Sequence, residues 1–100
     1  MLRISIEETV EALEMKLEGR IAGPWAAELG RVWVETAPRL ASRKLILDLS
    51  SVTYADAGAT QLLSDIYAQT RAELLSGTVW THSLAEQITR GDALTANQEL

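Results

Sequence analysis

The sequence contains no cysteine, only one histidine and no long apolar run. The absence of cysteine excludes a disulfide framework, thiolate metal ligands and a cysteine nucleophile, and it is typical of a reducing compartment. The apolar runs are a few residues long, far short of the roughly 20 residues that a membrane-spanning helix needs. The first residues, MLRISIEETV, acquire acidic side chains at once and lack the apolar centre of a signal peptide. These absences predict a cytoplasmic protein with no membrane insertion.

Basic side chains are few and scattered. Nine lysines and arginines stand against 14 acidic residues, which gives a net charge of −5. Without a basic stripe the chain has little means of neutralising phosphates, so nucleic acid is not an expected partner. The sequence also lacks a glycine-rich phosphate loop and a nucleophile-elbow serine. We therefore predict no catalytic residue, no metal site and no cofactor, and a protein that is not an enzyme.

The length and composition predict a single domain over residues 1–100. Apolar residues make up 47% of the chain, enough to build a core without disulfide bonds or a structural metal ion. Two early segments alternate apolar and polar residues, which is typical of strands with one buried face. They are Leu2–Glu7 and Leu13–Glu18, and the short acidic link between them predicts an antiparallel hairpin.

A helix is predicted to begin at Pro24, because proline at the first helical position loses no hydrogen bond. Pro38 is expected to end it. Trp25 and Trp33 lie close to two helical turns apart and share a face, so both are predicted to be core residues.

The second half of the chain predicts a strand–helix–strand–helix series. The unbroken apolar run in Lys44–Leu49 favours a strand covered on both faces. Asp56 is the expected N-cap of a helix that extends to about Arg71. A strand within 72–80, parallel to the preceding one, follows. After it we expect a short helix from Leu84 to about Thr89, headed by Ser83, with Glu86 in the capping-box position. Gly91 is expected to stop that helix, and 91–100 to form a loose tail.

The result is an α/β fold in the order β-β-α-β-α-β-α. A mixed sheet of about four strands packs with about three helices.

Four side chains have alternative interpretations. His82 has no acid or cysteine near it in sequence and is expected to be a surface residue. Asp48 and Asp56 could together hold magnesium or activate a hydroxyl at the end of a parallel strand, but we favour structural roles for both, with Asp48 ending the strand and Asp56 capping a helix. Trp80, expected at the end of a strand, would be a good interface anchor if exposed and could support a homodimer.

The segment Leu45–Gly58, LILDLSSVTYADAG, resembles the STAS domain. This is the fold of anti-sigma factor antagonists and of the cytoplasmic tails of sulfate transporters. The family pattern is a buried strand ending in Asp-Leu, a Val-Thr/Ser-aromatic stretch, and a helix that starts with Asp-Ser-Ser/Thr-Gly-Leu. The predicted order of elements matches as well and covers nearly the whole chain.

The resemblance implies a protein-binding module with an altered switch. Asp56 matches the family's aspartate, whereas Ala57 stands where regulated antagonists carry the serine that a partner kinase phosphorylates. Alanine has no hydroxyl, so we expect constitutive binding or another form of regulation. The implied partner is an anti-sigma factor or a kinase-like regulator in bacterial transcription signalling. The implied contact residues are Asp56, Ala57, Gly58, Thr60 and Gln61.

Two other functions stay open at this point. One is a STAS-like subunit of a lipid or solute ABC transporter, with the transporter ATPase as partner. The other is a nucleotide-binding regulatory module, against which the missing phosphate loop argues. Co-purification with a membrane complex would favour the first, and a flat titration with GTP or ATP would remove the second.

Overall fold

The computed structural model describes residues 1–98, with side chains described as far as residue 90. Its elements follow the predicted order β-β-α-β-α-β-α, which is confirmed. They are β1 (Leu2–Glu8), β2 (Ala12–Ile21), α1 (Pro24–Leu40), β3 (Lys44–Ala55), α2 (Ala57–Thr70), β4 (Glu73–Leu75) and α3 (Val79–Gln98). None of the helices in this described part is long and apolar enough to cross a membrane.

The four strands form one mixed sheet in the order β1-β2-β3-β4. The predicted hairpin is confirmed, since β1 is antiparallel to β2. The predicted parallel pairing of β3 and β4 is also confirmed, and β2 is parallel to β3. The carboxyl ends of β2, β3 and β4 therefore lie at one edge of the sheet, which we call the carboxyl edge. The opposite ends of these strands form the amino edge.

The core lies on one face of the sheet. Fully buried positions alternate along β2 and β3, and their side chains pack with apolar residues of all three helices. The strand members are Leu13, Met15, Leu17, Leu45, Leu47 and Leu49. The prediction that β3 is covered on both faces is wrong, because Ile46 and Asp48 between these positions are only half-buried. β3 also continues to Ala55, six residues beyond its expected end.

The helix α1 does not end at Pro38. Proline occupies its last turn and the helix continues to Leu40, whose side chain packs against the core. One lost amide near a helix end is a small cost beside that burial. Trp33 is a core residue, as predicted, at 7% exposed, but Trp25 is 38% exposed and its assignment to the core is wrong.

The boundary between β4 and α3 also differs from the expectation. β4 stops at Leu75, and α3 begins at Val79 instead of Leu84, so Trp80 lies in a helix. The hydroxyl of Thr78 accepts a hydrogen bond from the backbone N–H of Thr81 at 3.0 Å, which is the N-cap pattern. This cap replaces the predicted Ser83–Glu86 box.

Gly91 does not stop α3, which extends to Gln98. The prediction that 91–100 is a loose tail stays a prediction, because the last two residues and all side chains from residue 91 lie outside the described part of the chain.

Candidate functional site

Asp56 joins two of the three loops that leave the carboxyl edge, the one before α1 and the one before α2. Its Oδ1 accepts a hydrogen bond from the backbone N–H of Ala59 at 2.8 Å, so the predicted N-cap of α2 is confirmed. Its Oδ2 accepts from the N–H of Gly23, in the loop before α1, at 2.9 Å. Gly23 has φ of 55°, a left-handed value that favours glycine. One short carboxylate thus fixes the start of α2 against the loop that leads into α1.

The same hydrogen bonds affect the charge of Asp56. Donation from the Gly23 N–H, followed by donation from the Ala59 N–H, holds the pKa of the Asp56 carboxyl below its usual value. Hydrogen bonds to the ionised form favour that form. Asp56 is therefore a fixed anion whose two oxygens already have backbone partners.

The five predicted contact residues lie together in the N-cap and first turns of α2. Ala57 and Gly58 are exposed and present no polar side chain. The hydroxyl of Thr60 donates to the carbonyl of Asp56 at 3.0 Å, and the amide of Gln61 donates to Asp65 at 3.0 Å. The surface at the start of α2 is consequently flat, because its exposed side chains are small. The polar side chains beside it are hydrogen-bonded within the chain.

The hydroxyls of Thr60 and Ser64 on α2 have little access to solvent or are already hydrogen-bonded. Ser64 is only 8% exposed, and the Thr60 hydroxyl is half-buried and hydrogen-bonded. A kinase needs an accessible hydroxyl that can enter its active site.

Asp48 lies apart from Asp56. It sits in the middle of β3, and its Oδ1 accepts hydrogen bonds from the N–H and the hydroxyl of Ser50 at 3.0 and 2.6 Å. The two aspartates are eight positions apart along an extended strand, which corresponds to roughly 25 Å. They cannot share a magnesium ion, and no group of three or more potential metal ligands occurs in the described residues.

Sequence reasoning missed a contact between Ser76 and His82. The Ser76 hydroxyl lies 2.5 Å from Nδ1 of His82, just beyond the end of β4. His82 is exposed, as predicted, and lines a shallow cavity of about 360 Å³ between α2, β4 and α3. The pair could not be found from sequence because the expected helix start at Ser83 placed His82 in a loop. Within residues 1–90 no side chain hydrogen-bonds to Nε2 of His82, whereas the histidine of a catalytic triad has a partner at each ring nitrogen.

An aromatic groove lies next to the start of α2. It encloses about 200 Å³ between the end of β3 and the first turns of α3. Tyr54 and Trp80 are each 41% exposed, and the guanidinium of Arg20 lies 4.6 Å from the centre of the Tyr54 ring. We call this feature the Tyr54–Trp80 groove, and it is lined by Tyr54, Ala55, Trp80, Ser83, Leu84 and Gln87.

Two solved structures resemble this chain in fold. No protein-family model matches it, and no curated protein matches it. The anti-sigma factor antagonist SpoIIAA in its unphosphorylated form superposes with a TM-score of 0.63 over 98% of this chain and 100% of its own, at 13% identity. The chain has a STAS-like fold.

A second solved structure supports this fold assignment. An uncharacterised DUF3478-family protein from Shewanella loihica PV-4, described as having a SpoIIAA-like fold, matches with a TM-score of 0.52. The match covers 80% of this chain and 71% of that protein, at 14% identity. At such low identities the likeness concerns the fold, and the function has to be argued from the surface itself.

Proposed function

We propose that this STAS-like domain is a protein-binding module that contacts its partner through the start of α2. The observation that supports this most is the rigid placement of an exposed, small-residue surface by Asp56. Both Asp56 oxygens accept hydrogen bonds from backbone N–H groups. Ala57 and Gly58 are therefore held in place although their own side chains make no polar contact. A pre-ordered surface loses little conformational entropy on binding.

The partner that we propose is an anti-sigma factor or a kinase-like regulator. SpoIIAA, which shares the fold, is an anti-sigma factor antagonist. In regulated antagonists of this kind a phosphate at the helix start adds nearly two negative charges to the interface. Ala57 cannot accept a phosphate, so we propose that the protein is constitutively competent to bind or is regulated elsewhere.

The test is a pull-down of the tagged chain from its own cells with identification of the retained proteins by mass spectrometry. We expect an anti-sigma factor or a kinase-like regulator. Transporter ATPase subunits would contradict this partner class and support a role in transport. Saturable binding of GTP or ATP to the isolated chain would instead support a nucleotide-binding regulator.

A charge placed at the start of α2 tests the surface itself. Ala57→Glu adds bulk and a carboxylate where close approach is needed, and we expect the affinity for the recovered partner to fall about tenfold or more. The matched control is Ala68→Glu, which introduces the same side chain at an exposed alanine near the other end of α2. Equal affinity of the two variants would locate the interface elsewhere.

A further inference from the structure

We infer that the Tyr54–Trp80 groove receives a single large apolar side chain of the protein partner, next to a carboxylate of that partner that pairs with Arg20. This inference rests on the proposed function and adds to it the chemistry of the segment that is recognised. The occupant is therefore a partner segment in which an aromatic or large aliphatic residue stands beside one aspartate or glutamate.

The size of the groove suits a side chain better than a metabolite. Its volume of about 200 Å³ lies below the range of roughly 300–1,000 Å³ in which small-molecule sites usually fall. Leu84 contributes a buried apolar surface, at 3% exposed, while the aromatic rings of Tyr54 and Trp80 remain accessible. An apolar side chain inserted here would remove both rings from water.

The residue types in and beside the groove are those that contribute most to the binding energy of protein interfaces. Tryptophan, tyrosine and arginine dominate interface hot spots because they offer large, stiff or multiply donating surfaces. Here one tyrosine and one tryptophan line the groove, and Arg20, which is not itself a lining residue, stacks on the Tyr54 ring. Ser83 and Gln87 add exposed hydrogen-bonding groups to the lining.

Arg20 supplies the preference for a carboxylate. Other arginines of the chain pair with glutamates, as Arg31, Arg39 and Arg43 do, but Arg20 forms no ion pair within the part of the chain whose side chains are described. The Asp56 carboxylate, close to Tyr54 in sequence, is occupied by backbone N–H groups. An exposed guanidinium held by an aromatic ring is well placed for one bidentate carboxylate.

The charge of the whole chain limits how acidic the segment can be. With a net charge of −5 the protein repels a run of acidic residues, whereas a single carboxylate opposite Arg20 is favourable. The groove is also continuous with the proposed interface, because its lining residue Ala55 directly precedes Asp56 and Ala57. One partner can therefore cover both features.

Selection from a random peptide display library against the full chain tests this inference without knowledge of the partner. We expect enrichment of sequences that place one acidic residue beside an aromatic or large aliphatic residue. Enriched peptides should bind Trp80→Ala and Arg20→Glu about tenfold more weakly or worse. Trp25→Ala and Arg3→Glu, which alter an exposed tryptophan and an exposed arginine outside the groove, should bind normally.

Several results would overturn the inference. They are an absence of enrichment, enriched peptides without an acidic residue, and unchanged peptide binding by both groove variants. Concentration-dependent self-association that Trp80→Ala abolishes would show that the occupant is a second copy of the chain. Circular dichroism of each variant checks that it is folded, and Arg20→Glu changes only an exposed side chain.

The partner recovered from cells separates the two proposals. If Ala57→Glu releases it while Arg20→Glu and Trp80→Ala retain it, the groove inference fails and the proposed function stands. If all three variants retain it, both fail. Release by all three supports both.

Discussion

The two edges of the sheet are held together by different kinds of interaction. At the amino edge the carboxylate of Glu8 pairs with the guanidinium groups of Arg39 and Arg43. Arg43 also donates to the carbonyl of Thr9 at 3.0 Å, so the β1–β2 turn is fastened to the end of α1 by long charged side chains.

At the carboxyl edge the fastening is mostly backbone. The N–H of Arg20 donates to the carbonyl of Met1 at 3.0 Å, and the N–H of Asp56 donates to the carbonyl of Ile21 at 3.1 Å. The short side chain of Asp56 also takes part, through Gly23 and Ala59. Because the carboxyl edge is held mainly by backbone hydrogen bonds, larger side chains such as Tyr54 remain available to a partner. At the amino edge, in contrast, the charged side chains form ion pairs within the chain.

The largest expected effect on stability comes from a substitution in the backbone-held edge. Gly19 has φ of +96°, and a Cβ there would lie 2.3 Å from the carbonyl oxygen of Met1. Gly19→Ala must strain the backbone or push Met1 away from Arg20, and we expect a loss of roughly 1–3 kcal/mol in the free energy of unfolding. Urea denaturation measures it.

The matched control is a glycine in a helix. At Gly30 in α1 an added Cβ would make only an ordinary contact with Leu62, at 3.7 Å. Gly30→Ala should therefore raise the stability by up to about 1 kcal/mol, since alanine favours the helix. If the two alanine variants were equally stable, the close approach at Gly19 would have no energetic consequence.

A smaller loss is expected when the Asp56 link is weakened. Asp56→Asn keeps one oxygen for the Ala59 N–H but turns an amide group towards the Gly23 N–H, so it should lower the urea midpoint. Asp56→Ala removes both acceptors and should lower it further. Equal midpoints for the two variants would mean that the bond to Gly23 contributes nothing.

The pH dependence gives an independent test of the same link. The folded pKa of Asp56 lies below its unfolded value, chiefly because of the Gly23 N–H bond. The carboxylate therefore stabilises the fold above the unfolded pKa of about 3.9 and loses this effect as the pH falls through the folded value. The difference in stability between the natural chain and Asp56→Asn should shrink below about pH 4. A constant difference would contradict the lowered pKa.

Much of the carboxyl edge could be predicted because its signals are local. Proline after Gly23 marks the start of α1, and an aspartate before a run of small residues marks the N-cap of α2. The strands were predictable from alternation or from their apolar run, because the core on one face demands a fixed period. The motif in Leu45–Gly58 indicated the STAS-like fold because its signal, too, is contained in one short segment.

What could not be predicted depends on contacts between distant residues. The polar half of β3 from Ser50 reads as a loop, yet it pairs with the end of β2 and continues to Ala55. The start of α3 was misplaced because Thr78 and Thr81 cap one another, a weaker signal than the Ser83–Glu86 pattern. The stacking of Arg20 on Tyr54 follows from the register of two strands and has no signature in either segment alone.

The smallest effect should come from the ion-paired amino edge. Glu8→Gln removes the charge that Arg39 and Arg43 share, but these side chains are partly solvated, so we expect a loss of about 1 kcal/mol or less. The loss should shrink further in about 1 M sodium chloride, where charges are screened over a few ångströms. Glu11→Gln, in the same turn and without an ion pair in the described part of the chain, is the control. Because the amino edge is remote from Ala57, neither Glu8→Gln nor Glu11→Gln should change the affinity for the partner. If Glu8→Gln lost partner binding, the amino edge, and not the carboxyl edge, would face the partner.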